Sequence, residues 1–285
     1  MGASMFQPDL LAGKRVLITG GGTGLGKSMG RRFLELGAEL AICGRRADVL
    51  EETAREHAAA TGGQVSTHVC DVRDVDAVEV MIEQLFAQRP LAALVNNAAG
   101  NFLARSEELS PRAVDAVLGI VLKGSVNCTL ACGRRWLAAD LPGTVLSITT
   151  TYAWTGSAYV LPSAIAKAGV LAMTQSLAVE WGGRGVRLNA IAPGPFPTPG
   201  AWSRLVPRPD LAHHLETRNP LGRPGEHREL ADLAAFLLAD ATAYINGEVV
   251  TIDGGEWLKG AGQFSFLQDM LSEADWQALR PKKSG

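Results

Sequence analysis

The stretch from Arg15 to Lys27, RVLITGGGTGLGK, constrains the chain more than any other. An apolar, β-branched run ends in glycines and passes straight into a segment with helical character. This predicts a strand, a tight turn and a helix N-terminus at the edge of a parallel sheet, with backbone N–H groups aimed at an anion such as a pyrophosphate. Glycine suits such a turn because the backbone needs φ > 0 and because a Cβ would hold it away from the ligand. A glycine-rich βα turn without a ligand is the alternative. The spacing Thr19-Gly20-x-x-x-Gly24-x-Gly26 is wider between its first two glycines than the usual dinucleotide pattern, which narrows the choice.

Beyond this loop, short aliphatic runs alternate with longer helical patterns. RVLIT is followed by a helix over 25–36, ELAIC by 47–60, QVSTHV by 75–87, LAALVN by a long helix over 111–138, TVLSIT by 162–181 and VRLNAIA by 229–238; EVVTID closes the series. Seven strands with helical crossovers predict a parallel, doubly wound α/β sheet. Nothing in the composition divides the 285 residues, so a single domain over 1–285 is expected. A formal net charge of −2 with 20% charged residues gives no electrostatic reason to expect nucleic acid, and points to a small-molecule partner. Cys43, Cys70, Cys128 and Cys132 show no Cys-x-x-Cys spacing. The first two fall in predicted strands, and all four read as buried thiols of a reducing compartment. Cys128 and Cys132 lie four apart on a helix without a histidine, and His213 and His214 are adjacent, so no metal is expected. No run reads as a membrane span and residues 1–14 lack a targeting pattern; a cytoplasmic location follows as the expectation.

At the tip of the second strand, where dinucleotide folds place a ribose-binding carboxylate, stand Arg45 and Arg46. Guanidinium groups there favour the 2′-phosphate of NADP. Alternatively both are solvated helix-start residues and Asp48 serves a ribose. Cys70-Asp71-Val72 follows the third strand and Asn96-Asn97-Ala98-Ala99-Gly100 the fourth; small residues at 98–100 let the backbone pass close to a flat ligand. With the opening glycine loop, these segments resemble the short-chain dehydrogenase/reductase family. That resemblance implies a Rossmann-type fold and a cofactor resting on Gly20, Gly22, Thr23, Gly24, Leu25, Gly26, Arg45, Arg46, Asp71, Asn97, Ala98, Lys167, Pro193, Gly194 and Phe196, with Asp71 at the adenine.

The family hallmark is Tyr-x-x-x-Lys with a preceding Ser and an Asn on an earlier helix. Here Lys167 is in place, but the tyrosine position is Ser163, Thr149 or Thr150 holds the serine position, and Val121 holds that of the asparagine. A serine hydroxyl is a poor replacement for tyrosine as an acid, since tyrosine starts near about 10 and serine far higher. Two of the three tyrosines, Tyr152 and Tyr159, lie just before that helix. One subgroup is similar to this arrangement: the NADPH-dependent 2,4-dienoyl-CoA reductases of the mitochondrial type. The likeness is densest in Ala99-Gly100-Asn101-Phe102, Ser147 to Gly169, Pro193-Gly194-Pro195-Phe196 and Gly200 to Leu205. It continues through Tyr244-Ile245-Asn246-Gly247 and Asp253-Gly254-Gly255-Glu256.

This resemblance implies that Tyr152 and Asn101 hold a thioester oxyanion, that Lys167 meets the nicotinamide ribose, that Ser163 braces the site, and that Arg73, Phe102, Ser110 and Arg204 contact an acyl-CoA. Hydride from NADPH would reach the δ-carbon, and protonation at the α-carbon would give a 3-enoyl-CoA, as in β-oxidation of unsaturated fatty acids. Surface solvation is the competing reading for Arg73 and Arg204. Lys123, Trp154 and Trp202 depart from the subgroup, and Phe196-Pro197-Thr198-Pro199 is stiffened by two prolines. They keep open a carbonyl reductase of the same fold using Tyr159 or Tyr152, beside a nucleotide-binding relative without turnover. Residues 194–227 are expected to cover the substrate and 257–285 to form a C-terminal extension with Ser272 capping a short helix. Apolar residues on several faces of the two long helices, with the family resemblance, suggest a homotetramer.

Overall fold

Of the seven short runs the central ones are mainly apolar and buried, as strands covered on both faces require, whereas VSTHV and VVTI are only partly buried. In the computed structural model, which describes residues 6–198, 200, 218–261, 267 and 271–278, the seven runs form β1 (Arg15–Thr19), β2 (Glu39–Gly44), β3 (Val65–Val69), β4 (Ala93–Asn96), β5 (Gly143–Ile148), β6 (Val186–Pro193) and β7 (Val249–Ile252). All neighbours are parallel, in the order β3-β2-β1-β4-β5-β6-β7. Alternation divides the core in two. Val16, Ile18, Leu40, Ile42, Val95 and Leu146 face Met29, Phe33, Leu230 and Leu237 on one side. Leu17, Ala41, Leu94, Val145 and Leu188 face Ile82, Cys128, Trp136 and Trp181 on the other. Each such aliphatic side chain contributes about 1.5–3 kcal/mol on burial.

The crossover helices are α1 (Gly24–Glu35), α2 (Ala47–Thr61), α3 (Val75–Gln88), α4 (Pro111–Leu118), α5 (Gly124–Ala138), α6 (Tyr152–Thr155), α7 (Leu161–Gly182) and α8 (His227–Leu238). Two short helices, α9 (Glu256–Ala261) and α10 (Glu273–Ala278), follow β7. Three expectations change. The helix over 111–138 is interrupted by a π-helical segment, Gly119–Lys123, whose one-residue excess per turn seats Val121 in the core. That same 28-residue stretch is long and apolar enough to cross a membrane by length and composition, contrary to the sequence reading. Here it lies on the sheet with Cys128, Ala131, Cys132 and Trp136 buried. Cys70 sits one residue beyond β3 rather than within a strand. All four cysteines are buried free thiols. Ser272 caps α10 through the N–H of Asp275. His213 and His214 lie outside the described residues.

Candidate active site

The sheet order reverses direction between β1 and β4, and the site opens at the carboxyl ends of these strands. Thr19 ties the two tips together. Its hydroxyl donates to the Val95 carbonyl and accepts from the N–H groups of Asn97 and Ala98 at 3.0 Å each. The Asn97 amide in turn donates to the carbonyls of Thr19 (2.9 Å) and Gly20 (3.2 Å). Gly20 has φ +65°, and a Cβ on Gly26 would stand 2.5 Å from Asn97 Nδ2 and 2.6 Å from the Gly20 oxygen. Only glycine permits this turn to close beneath α1. Thr23, before the first turn of α1, makes no side-chain cap bond, so the leading N–H groups face the turn with no side chain in their place. The cradle thus fits a dinucleotide pyrophosphate.

Beside it, a cleft of about 160 Å³ is lined by Gly20, Gly22, Thr23, Cys43, Arg45, Arg46, Asp71, Ala98 and Ile120 among others. Arg45 and Arg46 are exposed at its rim, while Asp48, also exposed, is not among the lining residues. Asp71 is bound by Arg73 at 2.5 Å; that hydrogen-bonded guanidinium holds the Asp71 carboxyl below the usual carboxylate range. Leu25 is half-buried on α1. On the opposite wall, Pro193 ends β6, Gly194 passes so close to Asp253 that a Cβ would meet its side chain at 2.7 Å, and Phe196 is buried against Gly225.

The reactive side chains come from the loop after β4, from α6 and from α7. Asn101 Nδ2 donates to the Tyr152 hydroxyl at 3.3 Å, and that hydroxyl lies 3.0 Å from Ser163 Oγ. Asn101 is itself fixed because its Oδ1 accepts the Phe102 N–H at 2.9 Å. Ser163 and Lys167, four apart on α7, share a face; both are buried. The Lys167 ammonium donates to the Ile148 carbonyl, and burial pushes its pKa down to about 8. Tyr159 is instead 60% exposed, with φ +66°. The residues thus brought together are Asn101, Tyr152 and Ser163, with Lys167 one turn along.

Among the expected substrate residues, Phe102 packs with Val117, Val121, Ala166 and Val170 beside this group. The Ser110 hydroxyl caps α4 by accepting the Ala113 N–H at 3.2 Å, and Arg73 is engaged by Asp71. Arg204 and Trp202 lie outside the described residues. Trp154 meets Trp257 edge to face, ring centroids 5.7 Å apart.

A protein-family model described as Enoyl-(Acyl carrier protein) reductase matches residues 20–256. The chain belongs to the short-chain dehydrogenase/reductase family. Within that family, this short-chain reductase is 43% identical over 257 residues to a probable 2,4-dienoyl-CoA reductase 3, (3E)-enoyl-CoA-producing, of Caenorhabditis elegans, covering 88% of this chain and 83% of that one. It is 45% identical over 247 residues to a probable 2,4-dienoyl-CoA reductase, (2E)-enoyl-CoA-producing, of Bacillus subtilis, covering 86% and 97%. A crystal structure of a short chain dehydrogenase from Bacillus anthracis superposes with TM-score 0.77 at 42% identity, covering 85% and 96%. The sequence reading of this reductase missed Thr19 as the lock between two strand tips, although a hydroxyl at the end of a strand before glycine was a usable signal. It also missed Thr198, whose methyl would lie 3.3 Å from a Cβ on Gly24, and Trp257, for which no local signal exists.

Proposed function

We propose that this short-chain reductase uses NADPH to reduce a 2,4-dienoyl-CoA to a 3-enoyl-CoA. The observation that carries the reading is the convergence of Asn101, the displaced Tyr152 and Ser163, with serine on α7 where the family's usual acid would stand. NADPH held in this cradle would supply a hydride equivalent, and its addition at the δ-carbon would send negative charge along the conjugated chain to the thioester oxygen. Tyr152 Oη and Asn101 Nδ2 are the donors placed to hold that oxygen, strengthening as charge develops. Ser163 fixes the tyrosine hydroxyl from the other side. The Lys167 ammonium adds positive charge in the same buried wall. One proton from solvent completes the balance at the α-carbon. Arg45 and Arg46 at the cleft rim support NADP over NAD.

Phe102 offers an apolar wall to the acyl chain, while Arg73, Ser110 and Arg204 serve the CoA portion. The substrate cover expected over 194–227 and the C-terminal extension expected over 257–285 fall largely outside the described residues. Exposed Leu161, Ile165 and Val179 on α7 support assembly as a homotetramer. Four buried free thiols support a reducing, cytoplasmic setting, and a dienoyl-CoA substrate supports a part in the oxidation of unsaturated fatty acids.

The test follows NADPH oxidation with a 2,4-dienoyl-CoA beside a panel of ketones, and identifies the product by NMR. Turnover of the thioester with the double bond at C3 is expected. A C2 product would move protonation to the γ-carbon, and turnover of ketones alone would replace the reading by a carbonyl reductase.

A further inference from the structure

His227, the first residue of α8, connects two elements that shape the nucleotide cradle. Its Nε2 lies 2.8 Å from the Pro197 carbonyl oxygen and its Nδ1 2.8 Å from Ser28 Oγ on α1. The Ser28 oxygen also lies 3.2 Å from the carbonyl of Gly24, one turn earlier, a second acceptor within reach of its single proton. A carbonyl can only accept, so Nε2 carries the proton toward Pro197; on a neutral ring, Nδ1 then accepts from Ser28. The residue after Pro197 is Thr198, whose side chain lies over Gly24 at the start of α1, where the phosphates approach.

A second clip acts beside the first. Gly225 N–H donates to the Pro195 carbonyl at 2.9 Å, and the Phe196 ring fills the space above Gly225. The start of α8 is itself rigid, because Glu226 and Glu229 form a reciprocal capping box and Arg223 pairs with Glu229 at 2.7 Å. The charges around the imidazole already have partners: Lys27 pairs with Glu56, Arg31 with Glu35, and Arg228 with Glu35 and Asp232. His227 therefore acts through its two hydrogen bonds rather than as a counter-charge.

We propose that His227 is a positioning residue for the cofactor: it braces Pro197 against α1 and thereby sets how closely Thr198 covers the phosphate-binding turn. The inference rests on the nucleotide site alone. Its test needs no acyl-CoA, so failure of the dienoyl-CoA reading would leave it standing.

The experiment titrates the full chain with NADPH and with NADH, by fluorescence, for wild type, His227→Ala, His227→Gln and Ser28→Ala, and records each melting temperature. His227→Ala should weaken both dinucleotides by the same factor, roughly three- to tenfold, the range that one hydrogen bond spans. His227→Gln should recover most of the affinity, since its amide N–H reaches the Pro197 carbonyl. Affinity within twofold of wild type in a folded His227→Ala protein, or a glutamine variant no better than alanine, would overturn the proposal. Should His227→Ala not fold, Ser28→Ala decides: weakening of two- to threefold supports the brace, and unchanged affinity removes it.

Discussion

The Tyr152 hydroxyl is held from two sides, by an amide donor and by a serine hydroxyl, and one such group is where substitution reads chemistry most directly. Tyr152→Phe keeps the ring and removes the donor; kcat should fall roughly 10²- to 10³-fold with NADPH affinity nearly intact, measured by steady-state kinetics beside cofactor titration. Tyr159→Phe should change little, because that ring points to solvent. Loss of ketone turnover in Tyr159→Phe with a silent Tyr152→Phe would transfer the acid role to the other tyrosine. At the cleft rim, Arg45→Ala should weaken NADPH far more than NADH, since only the former has a 2′-phosphate to lose its guanidinium. Equal weakening of the two cofactors would take Arg45 out of that role. Of this chemistry, Lys167 and the departure at Ser163 were readable only against the Tyr-x-x-x-Lys hallmark of the family that the chain resembles. The meeting of Asn101 with Tyr152 across 51 positions was not: it came from the family resemblance, because a contact between a loop and a one-turn helix leaves no periodic trace in the chain.

Among elements, the turn into α1 tolerates least. Gly26→Ala would press a methyl into Asn97 and the Gly20 carbonyl, both of which lock β4 to β1. A cost of about 1–3 kcal/mol is expected, read as a lower urea midpoint, together with weakened binding of both dinucleotides. Unchanged stability would mean that the turn relaxes more freely than its contacts imply. Most elements were readable because strands buried on both faces read as short continuous apolar runs, whereas the helices repeat an apolar stripe about every 3.6 residues. The π segment escaped notice: Gly119–Lys123 has the composition of an ordinary helix, and its extra residue is a matter of which carbonyl each N–H selects. The four-residue α6 spans barely one helical turn, too short for a repeat to show, yet it delivers Tyr152 and Trp154.

For the whole molecule, the buried Lys167 makes stability depend on pH. Its folded-state pKa of about 8 lies below the ordinary 10.5, so between these values the unfolded chain holds more protons and folding gains as pH rises. The buried thiols act in the opposite direction above their ordinary range, so the comparison is wild type against Lys167→Met. In urea unfolding without cofactor, whatever stability the variant gains or loses at pH 7 should shift in favour of wild type by a few kcal/mol between about pH 8 and 10.5. A difference independent of pH would place the ammonium in a more solvated setting. The four thiols have a use of their own. Burial raises Cys43, Cys128 and Cys132, and takes Cys70 to about 11, so none presents thiolate to solvent near neutral pH. A thiol reagent can then label each cysteine only when its surroundings open, and the rate of modification becomes a clock for local unfolding. Cys43 and Cys70 line the nucleotide cleft, whereas Cys128 and Cys132 lie on α5 in the core. Mass spectrometry of timed labelling should show NADPH slowing the first pair more than the second. Equal slowing would mean that the cleft and α5, whose thiols share one core cluster, open together as one cooperative unit.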